Sequence, residues 1–331
     1  MTDVIGSPFA EQRDLAAGHA LVDLSDRDVL AITGEDRLSW LDSLTSQRLT
    51  GLAPGASAET LLLDPSGRVE YAARVVDDGE TTWLLMDAGT GAGLLAFLQR
   101  MRFMLRVAVA DRGADFGTVG TLGLPPAIAT VVWRDPWAAV APGGHQYATA
   151  ASHPAADWTY SESLVPRDRL GELHFGAGAL ALEALRIAAW RPRAATELDA
   201  TTIPHELDWI RSAVHLAKGC YRGQETVAKV HNLGHPPRRL VMLHLDGSQG
   251  GLPEHGDEVV LGDTVVGRVT AAARHYELGP IALAVLKRTV PTDAALVVRA
   301  ADGDAVAAMQ EVIVPPDAGR EVDIPRLARI K

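Results

Sequence analysis

The spacing of apolar residues predicts a helix early in the chain. Leu38, Leu41 and Leu44 recur at helical intervals, which indicates an amphipathic helix over residues 35–48. A threonine at the start of residues 33–36 is followed three residues later by an acid, the arrangement of a capping box. We therefore expect this helix to begin with a capped first turn.

The next segment has the pattern of an antiparallel meander. Apolar runs at residues 60–63, 68–76 and 81–86 are typical of strands. Short polar stretches at 64–67 and 77–79 separate them, with proline and glycine at positions that suit tight turns. Connections this short join neighbouring antiparallel strands.

A glycine cluster at residues 89–93 follows the third of these strands. A helix over 94–105 and a strand at 107–109 come next, and Asp111 ends that strand, which is similar to the layout of a dinucleotide-binding fold. The third glycine comes one residue too early, however. Parallel strands also need crossovers of a dozen or more residues rather than tight hairpins. The pattern favours a loop and a helix start over a Rossmann domain.

Beyond residue 112 the pattern predicts a second mixed unit and then a β-rich domain. Residues 112–160 are rich in Gly, Pro and Ala, and helices are predicted at 178–188 and 224–232. Short β-runs then recur, at residues 240–245, 258–261, 264–270, 281–286, 295–298 and 305–314. Their regular spacing, with a hairpin signal at Gly262 and Asp263, predicts a compact barrel or sandwich.

Composition and charge narrow the class of protein. The chain has 331 residues, of which 47% are hydrophobic and 22% charged, as in soluble proteins of two or three domains. Its apolar runs are too short to cross a membrane, and it has one cysteine and no signal-peptide pattern at its start, so we expect a cytoplasmic location. The net charge of −11 argues against direct binding to nucleic acid or to an anionic membrane.

Positive charge is nevertheless concentrated in residues 218–239, which carry five Lys or Arg and the single acid Glu225. Such a segment either binds an anionic small ligand or forms a solvated basic face. The segment begins with Lys-Gly-Cys-Tyr-Arg-Gly-Gln-Glu, and its cysteine, Cys220, is the only one in the chain. Positive charge at Lys218 and Arg222 should stabilise the Cys220 thiolate. The two glycines should let a ligand or another backbone approach closely.

Three less specific interpretations remain open. In the first, Cys220 is a small residue buried in the core. His231 and His235 have the spacing of a helical metal pair, but Gly234 and Pro236 would break that helix and no second thiol is available for zinc. A serine hydrolase is weaker still, because no G-x-S-x-G elbow occurs.

The octet at 218–225 resembles the hallmark of the YgfZ-type folate-binding proteins, which are relatives of the aminomethyltransferase (T-protein) of the glycine cleavage system. Weaker similarities lie around it, at residues 22–25, 32–36, 181–187, 197–199, 202–206 and 237–241. The resemblance implies an α+β fold class. It implies a T-protein-like multi-domain ring of two α+β domains at 1–115 and 116–235, with a C-terminal β-barrel at 236–331.

The same resemblance implies a role in iron–sulfur cluster assembly or repair and a connection with tRNA modification. The implied cofactor is tetrahydrofolate or a derivative, and the implied partners are iron–sulfur client or assembly proteins. Cys220 would be the functional thiol, able to hold a cluster only by sharing it with another chain or a small thiol. The implied folate-site residues are Lys218, Tyr221, Arg222, Gln224, Glu225 and Arg186.

Each of these residues has an expected role. Lys218 and Arg222 would stabilise the thiolate or an anionic ligand such as a folate glutamate tail. Tyr221 would stack on the pterin or line its pocket. Gln224 and Glu225 would cap the following helix or orient the loop.

The sequence departs from the aminomethyltransferase pattern at two acidic positions. Glu70 and Tyr71 stand where those enzymes carry a pair of aspartates, and Ala188 stands where they carry an acid two residues after the arginine that matches Arg186. A buried pterin with unpaired N–H donors would bind more weakly, by about 1–3 kcal/mol. We therefore expect weak folate binding and no aminomethyl transfer. The alternatives are a folate-dependent aminomethyltransferase or demethylase, and a noncatalytic adaptor of cluster assembly.

Overall fold

The computed structural model describes residues 3–249, 251–300 and 304–322. The helices are α1 (Pro8–Ala16), α2 (Arg37–Leu44), α3 (Gly91–Met101), α4 (Ala179–Ala188), α5 (Ala194–Glu197) and α6 (Gln224–Leu233). The strands are β1 (Val22–Asp23), β2 (Asp28–Thr33), β3 (Ser57–Leu63), β4 (Val69–Asp77), β5 (Thr81–Met86), β6 (Ala108–Asp111), β7 (Phe116–Thr121), β8 (Val131–Arg134), β9 (Ser161–Pro166), β10 (Arg238–Leu245), β11 (Glu258–Leu261), β12 (Thr264–His275), β13 (Gly279–Lys287), β14 (Leu296–Arg299) and β15 (Ala305–Val312). Within the described ranges, no helix is both long and apolar enough to span a membrane.

The first sheet has five antiparallel strands in the order β3-β4-β5-β2-β6. The meander predicted over residues 60–86 is confirmed, and so is the strand predicted at 107–109. The glycine cluster opens α3, where the Gly91 N–H donates to the Asp28 carboxylate at 2.6 Å. Because this sheet contains only antiparallel pairs, it is not a Rossmann sheet.

The predicted capping box at residues 33–36 is wrong. Thr33 ends β2, α2 begins only at Arg37, and the α2 N-cap residue Asp36 makes no side-chain cap hydrogen bond. Its carboxylate instead pairs with Arg106 at 2.9 Å. The Arg106 backbone N–H and guanidinium both donate to this carboxylate, which is therefore not available to cap the helix.

The second sheet, with the order β1-β7-β9-β8, includes the short strand at the start of the chain. Val22 pairs with Gly120, and α1 packs against α4, so the N-terminal residues lie beside the second sheet before the chain enters the first. The two sheets are joined by Trp133, whose indole N–H donates to the Ala58 carbonyl at 2.7 Å.

The C-terminal strands form a closed barrel in the order β10-β13-β12-β11-β14-β15. The predicted β-runs are therefore confirmed as a barrel rather than a sandwich, and Gly262 takes a left-handed φ of 59° in the hairpin between β11 and β12. One apolar cluster joins the barrel to the rest of the chain, because Leu240 and Ile281 pack in the same core as Ala184 and Trp190. This arrangement confirms the predicted α+β fold with its barrel.

Asp208 is a buried carboxyl in the segment between the second sheet and the octet. Its φ of 53° is left-handed, and one of its oxygens accepts a hydrogen bond from the Tyr147 backbone N–H at 2.8 Å. Burial raises the pKa of Asp208 to about 7, although the Tyr147 N–H and nearby Arg211 partly oppose the shift. The protonated form is therefore the one that the folded chain accommodates better.

We expect Asp208→Asn to stabilise the protein at high pH relative to the wild type. An acid whose folded-state pKa is raised contributes stability that is present below about pH 4 and is lost as the pH rises towards 7. The asparagine stays neutral, so its advantage should grow from about zero at pH 4 to at most about 4 kcal/mol at pH 8. Urea unfolding at both pH values would measure it, and an unchanged difference between the proteins would contradict it.

Candidate functional site

The octet forms a loop that packs backbone to backbone against the turn between β3 and β4. Gly223 has a left-handed φ of 83°, and a Cβ there would lie 2.6 Å from the Asp64 carbonyl oxygen. On the facing turn, a Cβ at Gly67 would lie 2.8 Å from Thr226. The expectation that an octet glycine admits another backbone is confirmed at Gly223, whereas Gly219 faces open space.

Cys220 is a free and exposed thiol at the outer end of this loop. The interpretation of Cys220 as a small buried core residue is therefore wrong. In the part of the chain that the structure describes, no group of three or more His, Cys, Asp or Glu side chains is arranged to hold a metal ion. The thiol is thus accessible to a macromolecular partner or to a small reagent.

Lys218 points into the protein. Its ammonium group donates to the backbone carbonyls of Asp42, Thr45 and Gln47, at 2.8 Å for the last two. The ammonium also lies 5.3 Å from the centre of the Tyr221 ring. Burial lowers the pKa of Lys218, and the carboxylate of Asp42 at 3.4 Å partly offsets this. Lys218 therefore ties the octet to the end of α2, and its predicted action on the Cys220 thiolate stays a prediction.

The remaining octet side chains also have defined contacts. Arg222 pairs with Glu70 at 2.8 Å and lies over the Phe97 ring. Gln224 donates to the Lys218 carbonyl at 3.3 Å, which closes the loop, and Glu225 is exposed in the first turn of α6. Tyr221 is buried in the apolar core, and this burial raises the pKa of its phenol. Stacking of Tyr221 on a ligand remains a prediction.

A cavity of about 190 Å³ lies between the two sheets, α4 and α5, away from the octet. Its lining combines apolar side chains with ten charged ones, namely Asp26, Arg27, Glu59, Arg74, Asp87, Asp135, Glu183, Arg186, Arg191 and Arg193. The aromatic rings of Trp158, Tyr160 and Trp209 complete the wall. The indole N–H of Trp209 is buried and has no hydrogen-bond partner among the residues of the described ranges. Because that N–H has almost no accessible surface, it does not face the cavity, and the cavity offers its charged side chains to a polar ring.

Arg186 belongs to this cavity and not to the octet. Its guanidinium bonds Glu183 at 2.6 Å and the buried Glu197 at 3.0 Å. Burial disfavours a charged Glu183, but Arg186 and then Arg193 outweigh it and lower the pKa of that carboxyl to about 2. No octet residue lines the cavity, so the structure divides the predicted site residues between two places.

Several cavity residues could not be predicted as functional from the sequence. Asp87 is an example: burial opposes its ionisation, but Arg74, Arg27 and Arg193 outweigh burial and hold its pKa far below the usual range. These side chains come from distant parts of the chain and form no motif. In the sequence, the one signal of this cavity was the pair of arginines that flanks Pro192, shortly after α4. Ala188, which stands where the aminomethyltransferases carry an acid, packs against the apolar core. It therefore supplies no carboxylate at that position.

Comparisons with known proteins agree with this architecture. Residues 238–316 match the family model of the glycine cleavage T-protein C-terminal barrel domain. The glycine cleavage system aminomethyltransferase T from Bartonella henselae has a similar structure, with a TM-score of 0.70 over 97% of this chain and 96% of that chain at 16% identity. At that identity the likeness shows the fold alone.

Two curated proteins are distantly similar in sequence. The mitochondrial iron–sulfur cluster assembly factor IBA57 homolog of Mycosarcoma maydis is 26% identical over 241 residues, covering 67% of this chain and 56% of the relative. A putative chloroplastic transferase of Arabidopsis thaliana is 24% identical over 297 residues, covering 80% of this chain and 65% of the relative. Each match thus spans less than two thirds of the relative. Taken together, fold and barrel show that the chain has the glycine cleavage T-protein-like architecture and carries the C-terminal barrel domain of that superfamily at residues 238–316.

Proposed function

We propose that this protein binds a tetrahydrofolate and supports the assembly or repair of iron–sulfur clusters in client enzymes through Cys220. The observation that carries the proposal is that the only thiol of the chain is exposed on a loop held by Lys218 and Gly223. A thiol needed only for packing would be buried. The distant similarity to a cluster assembly factor supports the same role.

The cavity between the sheets is the candidate folate site. Its volume of about 190 Å³ is below the roughly 300–1,000 Å³ typical of sites that enclose a whole ligand, so it suits one ring system with the remainder outside. A pterin ring carries both donors and acceptors. The carboxylates of Glu183 and Asp87 would accept from ring N–H groups, and the guanidinium of Arg193 would donate to a ring acceptor. Tetrahydrofolate would supply one-carbon units or reducing equivalents when bound.

Cys220 supplies one accessible thiolate that can coordinate iron. The thiol loses its proton, and the thiolate then donates an electron pair to iron. Clusters are held by several thiolates, so one cysteine provides one ligand and the remaining ligands come from a client protein or a small thiol. The exposure of Cys220 permits such sharing.

Aminomethyl transfer is less well supported. Tyr71 replaces one of the aspartates of the transferases, and Glu70, at the other position, pairs with Arg222. The position of the third acid is Ala188, which lies against apolar side chains. None of these three positions offers a free carboxylate to a transferase reaction.

Anaerobic calorimetry of the full chain with tetrahydrofolate, and with NADH as the control, tests the folate part. We expect saturable folate binding and no heat with NADH. Glu183→Gln keeps the size of the side chain but replaces one accepting carboxylate oxygen by an NH2 group, so it should weaken folate binding by about 10-fold, equivalent to one hydrogen bond. No folate binding by the wild type, or equal binding by Glu183→Gln, would contradict this site.

Cys220→Ser tests the thiol part. We expect a change in the free energy of unfolding within about 0.5 kcal/mol, since the side chain is exposed, together with unchanged folate binding. In a strain that lacks the endogenous protein, the variant should fail to restore the activity of iron–sulfur enzymes. Full restoration at equal protein level would contradict a role for the thiol.

A further inference from the structure

The loop between α3 and β6 exposes an apolar cluster between arginines. Residues 100–106 read Arg-Met-Arg-Phe-Met-Leu-Arg. Phe103 is 77% exposed, Met104 99% and Leu105 43%. Three consecutive large apolar side chains in water are costly, and contiguous patches of this kind mark interaction sites more often than single exposed residues do.

The loop is held in this exposed position. Phe103 has a left-handed φ of 47°, which is strained for a bulky side chain and persists only where the surrounding structure imposes it. On its C-terminal side, the Arg106 guanidinium is fixed by Glu35 and Asp36. On its N-terminal side the loop continues α3. The apolar tip is therefore a built feature of the surface.

A groove of about 880 Å³ adjoins this loop. It runs between the end of α2, the start of β4 and α3, and Phe97, Arg100 and Met101 lie in its wall. Arg222, which lies over the Phe97 ring, also lines the groove and is only two residues along the chain from Cys220. The loop and the groove thus form one continuous surface, which we call the docking surface, defined as Arg68, Phe97, residues 100–105 and Arg222.

The docking surface is basic in an acidic protein. Arg68, Arg100 and Arg102 have no ion-pair partner within residues 3–249, 251–300 and 304–322, whereas the chain as a whole has a net charge of −11. Of the two acids in the groove, Glu70 is paired with Arg222, and Asp64 accepts hydrogen bonds from the backbone of its own turn. Free positive charge therefore flanks the apolar cluster on its N-terminal and groove side, whereas on its C-terminal side Arg106 is neutralised by Glu35 and Asp36.

We propose that the docking surface binds a protein that presents acidic side chains around an apolar patch. Aromatic residues, Met and Arg are the types enriched in protein interfaces, and unpaired arginines select carboxylates. An anionic membrane is disfavoured, because its extended negative surface would face much of this acidic chain, whereas a docked protein meets mainly the arginines within about one Debye length, ~8 Å. Binding at the docking surface does not depend on folate binding or on thiol chemistry. It goes beyond the proposed function, because it places a bound protein beside the loop of Cys220.

Site-specific photo-crosslinking of the full chain in its native host tests this proposal. Benzoylphenylalanine would replace Met104 or, as the matched control, Met309, which is 69% exposed on the barrel. We expect Met104→benzoylphenylalanine alone to give a protein adduct, whose crosslinked peptide, identified by mass spectrometry, carries acidic residues beside apolar ones. The combination Arg100→Glu and Arg102→Glu should abolish the adduct, and with the purified partner it should weaken binding by about 10-fold or more.

The outcomes separate the alternatives. An adduct with a second copy of this chain, an adduct with lipid, or a peptide without acidic residues would overturn the proposal. The same protein adducts from Met309→benzoylphenylalanine as from Met104→benzoylphenylalanine would also overturn the proposal. Thermal unfolding of the arginine variant should match the wild type, because both arginines are exposed. Cys220→Ser should leave the adduct unchanged, so failure of the thiol hypothesis and failure of the docking surface are distinguishable.

Discussion

Replacing Arg186 with methionine should lower the free energy of unfolding at pH 7 by about 3–5 kcal/mol, the cost of breaking a buried ion pair by removing one partner. Methionine fills most of the volume, so the loss is electrostatic rather than a packing defect. Glu197 is fully buried and Glu183 mostly so, and both would keep negative charges without their guanidinium partner. Urea unfolding of the variant would measure the loss.

The pH dependence of this loss identifies its cause. In the wild type, the pKa of Glu183 is lowered to about 2, so the stability gained from its charge is present above about pH 4.5 and is lost progressively as the pH falls to about 2. Without Arg186, only Arg193 at 3.3 Å would oppose burial, so the pKa of Glu183 should rise towards the unfolded value. The deficit of the variant should therefore shrink as the pH falls from 7 to 4, when the carboxyl takes up a proton.

Two controls accompany the Arg186 variant. Adding Glu183→Gln and Glu197→Gln should recover much of the lost stability, because no buried charge then remains unpaired. Arg169→Met, which removes an exposed ion pair with Glu172, should change nothing measurable. A deficit that stays constant with pH and persists in the triple variant would mean that Arg186 acts through packing.

The fold could be predicted where its signals are local. The meander and the barrel follow from alternating apolar residues and from turns such as Gly262 and Asp263, which need no knowledge of distant contacts. The capping box at Thr33 failed because its competitor, Arg106, is 70 residues away from Asp36 along the chain. Local pattern reasoning does not see such a partner.

The parts of the candidate site also differ in whether local sequence signals reveal them. The octet could be found from its sequence, but the exposure of Cys220 and the inward direction of Lys218 depend on packing against α2 and the β3–β4 turn. The cavity could not be found, because its charged residues lie on both sheets and on α4 and meet only after folding. Arg186 was singled out for its resemblance to a family position, and its partners became visible only in the structure.

Lys218→Met should cost about 3 kcal/mol or more of stability, even though Cys220 two residues away should tolerate substitution. The ammonium of Lys218 donates to the buried backbone carbonyls of Thr45 and Gln47 and to the partly buried carbonyl of Asp42. Each acceptor left without a partner costs about 1–3 kcal/mol. The change should also release the octet from the end of α2, so limited proteolysis should cleave the loop at 218–225 faster than in the wild type.

This variant also tests the sequence-based hypothesis that Lys218 acts on the thiol. The rate at which iodoacetamide alkylates Cys220 at pH 7, measured under conditions where both proteins are folded, reports on the thiolate. If Lys218 only anchors the loop, the rate should stay equal or rise as the loop loosens; a large fall would mean that its charge supports the thiolate. Lys229→Met on the exposed face of α6 is the matched control and should change neither stability nor rate. Full stability of Lys218→Met would show that water replaces the ammonium at the three carbonyls, and the anchoring role would then be wrong.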